Sequence, residues 1–144
     1  MAATDVKQKS TVRRKFRNFD LSDEIKMVGA ARKGISAEVF YNFARLIKMP
    51  EKSLAQLLYI HPRTINNYRE QEKNLAPVES EHLLRLIALF AKGEELFGNA
   101  DEFNYWLQKP FWSTKEKPID WLTTPGGVGL VSDELDRLAH GYVA

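Results

Sequence analysis

From Ser36 onward the apolar positions recur at helical spacing. Val39, Phe40, Phe43, Leu46 and Ile47 are separated by steps of about three and four, a period that gathers them on one face of an α-helix. Ser36 stands where a helix cap belongs, and Pro50 marks the end of the segment. In "PEKSLAQLLYI" a second stripe follows, formed by Leu54, Ala55, Leu57 and Leu58, with Pro50 able to stand at a first-turn position. The pattern predicts a third helix from about Pro62 to Gln71 and a longer one from Ser80 to Phe97, closed by Gly98. It also predicts a short helix from Asp101 to Gln108, ended by Pro110, and a last one from Ser132 to Ala139, closed by Gly141. Strand signals are nearly absent. The stretch from Phe111 to Gly129 reads as loop and turn, because Pro118, Pro125, Gly126, Gly127 and Gly129 interrupt any period. The expected fold class is therefore all-α.

Residues 58–71, "LYIHPRTINNYREQ", break the apolar trend with two arginines, two adjacent asparagines and a threonine within seven positions. A twenty-residue helix-turn-helix frame laid from Glu51 explains them. It puts Leu54, Leu58, Ile60, Ile65 and Tyr68 on the five apolar positions that lock two helices at a steep angle, with small Ala55 at their closest approach. With Ile65 and Tyr68 turned inward, Arg63, Thr64, Asn66, Asn67 and Arg69 are left for the outer surface and flanks of the second helix. Planar arginine and asparagine side chains make paired hydrogen bonds to guanine and adenine edges in the major groove, so these five are the candidate DNA-binding residues. Tyr59 occupies the turn position where the frame usually has glycine, and a left-handed conformation there costs about 1–2 kcal/mol. Either the turn is irregular or Tyr59 is tolerated for packing. His61 opens the second helix as a cap, a phosphate contact or a turn filler.

Charge sharpens the picture. The 144 residues carry a formal net charge of +2. Residues 1–74 hold 15 Lys+Arg against 8 Asp+Glu, whereas residues 75–144 hold 6 against 11. A basic half suits phosphate, and an acidic half suits a partner with a cationic surface. Residues 1–20 include Lys7, Lys9, Arg13, Arg14, Lys15 and Arg17 with few apolar groups, which predicts a mobile basic arm that does not order by itself. The 44% apolar content is enough to bury a core, and the absence of cysteine excludes disulfides and thiolate zinc sites. The longest apolar run, "LLRLIALFA" over Leu83–Ala91, is interrupted by Arg85 and falls well short of the roughly 20 residues a membrane span needs. The expectation is a soluble protein of the bacterial cytoplasm, without a membrane association.

Catalytic arrangements are not apparent. His61, His82 and His140 lie in unrelated contexts, without a paired nucleophile and carboxylate and without metal-ligand spacing. "TPGGVG" lacks the lysine of a phosphate-binding loop and follows no strand. No enzymatic activity, cofactor or metal is expected.

The chain from about Gly34 to Ala144 resembles the Xre-type antitoxins of RES–Xre toxin–antitoxin pairs, which are related to the ParS and MbcA antitoxins. The helix-turn-helix is followed by "NLAPVESEHLLRLIALFAKGEELFG", similar to that family's linker and long helix. Beyond it, "YWLQKP", "KPIDWLTTPGG" and "ELDRLAHGYVA" resemble its C-terminal landmarks, here Trp106, Leu107 and Pro110, then Pro118, Leu122 and Gly126, then Leu135, Arg137 and Gly141. The loop "FWSTKEKP" departs from the pattern by lacking paired glycines before its proline.

Taken with the basic arm expected over 1–20, the organisation is a helix-turn-helix domain over 21–80 and a small helical domain over 81–144, for which the resemblance implies toxin binding. It implies neutralisation of a cognate RES-domain toxin that consumes NAD+, by covering its active site, and autoregulation through operator DNA. A homodimer within a hetero-oligomeric toxin–antitoxin complex is expected. Arg137 and the tail Gly141, Tyr142, Val143 and Ala144 take the blocking role; the alternative for Arg137 is a surface pair with Asp133 or Glu134. Phe111 and Trp112, adjacent in a polar loop, are further interface candidates, whereas Phe97, Trp106 and Trp121 read as core aromatics. The competing functions are a plain helix-turn-helix repressor without a toxin, and an interaction module that no longer binds DNA.

Overall fold

The computed structural model describes residues 10–110 and 115–141. Their elements, in chain order, are α1 Thr11–Lys15, α2 Glu24–Lys33, α3 Ala37–Leu46, α4 Glu51–Leu58, α5 Pro62–Glu70, α6 Pro77–Phe97, α7 Ala100–Leu107, a 3₁₀ segment Pro118–Thr123 and α8 Pro125–Ala139. Among the described residues the only β-pairing is an isolated antiparallel bridge between Ser36 and Asn74, in keeping with the all-α expectation. Ser36 caps α3 as its position predicts, its side chain accepting from Glu38 N.

The apolar run that interrupts the charge pattern becomes the axis of the molecule. Leu83, Leu84, Leu86, Ile87, Leu89, Phe90 and Ala91 are each at most 2% exposed, because α1, α2, α7 and α8 all pack around α6. Apart from a stripe of Glu81, Arg85, Lys92 and Glu95 the helix is apolar around its circumference, and such a helix is stable only when enclosed in this way. It begins at Pro77, three residues before the expected Ser80. Proline suits the first turn, and Glu79 accepts from Ala76 N at 3.0 Å. Ser80 lies inside the helix and ties it to α2's exit, accepting from Ile35 N at 2.8 Å and donating to Leu75 O.

A relay of rings joins the two halves. Phe16 meets Phe43, Phe43 meets Phe90 and Phe90 meets Phe103, at centroid separations of 6.1, 5.5 and 5.0 Å in edge-on contacts, and Phe103 stacks on Trp106. One hydrophobic cluster therefore runs from α1 to α8. The expected division between residues 80 and 81 falls inside α6 and does not separate two cores.

Two expectations need correction. Residues 10–20 do not form a free basic arm: α1 lies on the core with Val12 and Phe16 buried. The buried Glu94 carboxylate accepts from Ser10 Oγ, Thr11 Oγ1 and Val12 N, and Arg13 pairs with Glu95 at 2.7 Å. The cation count concealed a helical pair, Val12 and Phe16, whose burial against α3 and α6 contributes about 1.5–3 kcal/mol per side chain towards the cost of ordering. Lys7 and Lys9 lie outside the described residues.

The second correction concerns the C-terminal glycines. The segment read as a loop up to Gly129 contains the 3₁₀ turn and the first turns of α8, which starts at Pro125 under a Thr124 cap. Gly127 serves close approach rather than breakage, whereas Gly126 and Gly129 have nothing within 4 Å of a Cβ position. A Cβ on Gly127 would sit 1.7 Å from Trp121 O.

His82 joins α6 to this 3₁₀ turn. Its Nε2 donates to Leu122 O at 2.9 Å from a buried position. Burial lowers its pKa below 6.5, with the Leu122 carbonyl acting in the opposite direction. The unfolded chain therefore takes up a proton near pH 6.5 that the folded chain resists, so stability is complete above that pH and falls as the pH drops below it. Melting temperatures measured between pH 7.5 and 5.5 are expected to decline, and His82→Gln should flatten the slope. An unchanged slope in the variant would place the titration elsewhere.

Candidate functional site

The helix-turn-helix is built as its apolar frame requires. Leu54, Ala55, Leu58, Ile60 and Ile65 are buried and Tyr68 is half-buried between α3, α4 and α5. Tyr59 adopts the left-handed conformation, φ 56° and ψ 37°, with Ile60 N donating to Ala55 O in the pattern that closes a helix. It is 79% exposed. The turn is therefore regular, and packing does not compensate the strain. Tyr59→Gly is expected to raise stability by several tenths to about 1 kcal/mol, part of the relief being lost to the freer unfolded chain. That corresponds to a few degrees in a thermal melt, and a lower melting temperature would contradict it.

His61 resolves to a cap. Its Nδ1 accepts from Arg63 N at 3.1 Å and Pro62 follows at the first helical position. Arg63, Asn66 and Asn67 are exposed on the outer face of α5, at spacings of three and four that place them together. Thr64 is half-buried. Arg69 is exposed but leans back on α3: its guanidinium lies 4.1 Å from the centroid of the Tyr41 ring, and its Nε is 3.8 Å from Glu38. The outward hydrogen-bonding surface is thus Arg63, Asn66 and Asn67, joined by a residue the sequence reading passed over. Glu70, one turn beyond Asn66, is exposed and accepts from Asn66 Nδ2 at 3.3 Å. The i, i+4 spacing of an amide and a carboxylate was the signal for it.

In the C-terminal half Leu107 and Leu122 are fully buried, and Phe97, Trp106 and Trp121 are half-buried against the core, as expected of core aromatics. Arg137 is bonded to Glu134 one turn back, the arrangement the alternative reading gave it. Gly141, at φ 70°, donates to Leu138 O and ends α8 as expected. Phe111, Trp112, Tyr142, Val143 and Ala144 lie outside the described residues. Some of the charge asymmetry is used internally, since Arg13 and Lys48 of the basic half pair with Glu95 and Asp101 of the acidic one. Among the described residues no group of three or more His, Cys, Asp or Glu is placed to hold a metal ion, and no helix is long and apolar enough to cross a membrane.

Comparison with known proteins matches both halves in order. Residues 26–88 fit the model of the antitoxin Xre-like helix-turn-helix domain. Residues 92–141 fit that of the antitoxin Xre/MbcA/ParS C-terminal toxin-binding domain. A curated relative, Antitoxin Xre of Pseudomonas putida, is 34% identical over 85 residues, which cover 56% of this chain and 51% of that protein. The match therefore spans about half the length of the curated relative. A locked helix-turn-helix and a second helical unit sharing α6, each matched by its own antitoxin model in the same order along the chain, place this protein in the Xre antitoxin family.

Proposed function

We propose that this protein is the antitoxin of a type II toxin–antitoxin pair. It neutralises a cognate RES-domain, NAD+-degrading toxin by covering the toxin's active site, and it represses its own operon by binding promoter DNA through α5. The observation that carries this reading is the joining, through the single helix α6, of an exposed hydrogen-bonding stripe to the region matched by a toxin-binding model. Arg137 and the tail Gly141–Ala144 act at the toxin's cleft, where a guanidinium pairs with carboxylates, and Phe111 and Trp112 add contact area. The protein acts by binding, not by catalysis, and needs no cofactor. Its setting is the bacterial cytoplasm, as a homodimer within a hetero-oligomeric complex, since helix-turn-helix proteins commonly engage paired half-sites.

Co-expression with the product of the neighbouring gene tests the pair directly. A stable complex that no longer consumes NAD+ is the expected result. Failure to associate, with DNA binding intact, would favour the plain repressor. On the DNA side, Arg63→Ala, Asn66→Ala and Asn67→Ala are each expected to weaken binding to the promoter fragment by about 1–3 kcal/mol while changing binding to random duplex much less. Titration of both duplexes at one salt concentration separates these effects. Equal losses on the two would reduce the three residues to backbone contacts.

A further inference from the structure

The outward stripe of α5 contains one acid. Glu70 shares a face with Arg63, Asn66 and Asn67, one helical turn beyond Asn66 and two beyond Arg63. On a surface that meets phosphates a carboxylate is repulsive and lowers affinity for any duplex. Its contact in the folded chain supplies a compensating role. Glu70 Oε2 accepts from Asn66 Nδ2 at 3.3 Å. That bond decides how the asparagine is turned, because an amide oxygen facing a carboxylate is repelled whereas the amide nitrogen donates. One N–H is committed to Glu70, and Oδ1 with the second N–H remains for a ligand. An acceptor beside a donor complements the adenine edge of the major groove, which presents the N6 amino donor and the N7 acceptor.

We infer that Glu70 is a positioning residue for base readout: it holds the Asn66 carboxamide in the one orientation that pairs with adenine. The inference rests on the DNA-binding reading above and adds to it a specificity determinant that does not itself touch the base. Without Glu70 the amide samples both flips and several rotamers, and that freedom is lost on binding. With Glu70 the choice is made beforehand, at the expense of affinity for arbitrary sequence.

The two consequences have opposite signs, and that is the test. A duplex pool with a randomised 20-base-pair core is selected with the full-length protein and sequenced. Dissociation constants are then measured for the selected duplex, for its single-base-pair substitutions and for an unselected duplex. Glu70→Ala is expected to reduce preference for adenine at one position by about tenfold, while affinity for the unselected duplex rises because a repulsive charge is gone. Asn66→Ala should lose preference at the same position, and the double variant should lose no more than Asn66→Ala alone. Glu70→Gln keeps an acceptor for the amide, so adenine preference is retained even as affinity for the unselected duplex rises.

An unmoved adenine preference in Glu70→Ala overturns the proposal. So does a change that appears at a cytosine and is independent of Asn66, which would make Glu70 a direct contact. If the wild-type chain selects no sequence at all, the DNA-binding reading fails with it. Selection that persists with its adenine preference intact removes only the role of Glu70.

Discussion

Truncation after Leu138 is expected to abolish inhibition of the toxin while leaving the fold and DNA binding in place. The cut removes the end of α8 and the exposed Gly141, whereas the buried residues of that helix, Val128, Val131 and Leu135, all precede it. A tail beyond a helix-ending glycine carries little of the core. α5, the proposed DNA-facing helix, belongs to a different part of the chain. Arg137→Ala refines the question. In the folded chain this guanidinium already bonds Glu134, so the proposed docking in the toxin's cleft would exchange that bond for carboxylates of the partner. If the exchange is desolvated at the interface, its loss costs about 2–5 kcal/mol, and far less if the arginine stays at the rim. NAD+ consumption by the toxin, followed while each variant is titrated in, reads both cases. Full inhibition by the truncated chain would remove the tail from the active site and shift the contact to Phe111 and Trp112 or to the surface of α6.

Gly127→Ala is expected to destabilise the protein by about 3–5 kcal/mol, in the range reserved for overpacking that the surroundings cannot absorb. The added Cβ would lie 1.7 Å from Trp121 O and 2.8 Å from its carbonyl carbon. Both are backbone atoms of the 3₁₀ turn, so relief requires α8 to move off that turn. Leu122 and Val131, fully buried at this junction, would be exposed by such a movement. Gly129 supplies the comparison. It lies in the same helix with nothing within 4 Å of its Cβ position, so Gly129→Ala should stabilise by about 0.5–1 kcal/mol through helix propensity alone. Denaturant unfolding of the two variants beside the parent decides the matter. Parity between them would mean that the approach of Gly127 to the turn is not a constraint.

These two glycines mark where sequence reading stopped. Period and caps were legible for α3 and α4, because each buries a regular apolar stripe, and α5 was legible from Ile65 and Tyr68 in the helix-turn-helix frame; Ser36, Pro50 and Pro62 punctuate the chain at the observed boundaries. The six positions of the helix-turn-helix frame were legible for the same reason, since a steep crossing of two short helices tolerates few residue types at the contact. The start of α8 was not. Gly126, Gly127 and Gly129 lower helix propensity, and their benefit lies in contact with Trp121 several residues away, or in no contact at all. α1 was hidden similarly: its cations dominate the count, while Glu94, the group that fixes its N-terminus, lies more than 80 residues further along.

The candidate site divides along the same line. Sequence alone determined that α5 carries a cluster of hydrogen-bonding side chains beside an apolar lock, and that the chain joins this unit to a second helical one. Tertiary structure decided which members of the cluster face outward. Arg69 leans on the Tyr41 ring and towards Glu38, groups supplied by α3, while Asn66 is bonded to Glu70. It also decided that the two units share a core, through the ring of Phe16, at the end of α1, and rings of α3, α6 and α7 that meet only when the chain is folded. Periodicity reports which face of an element is apolar, because that is a property of neighbouring residues. The partner a side chain meets depends on residues far along the chain, and only packing brings those together.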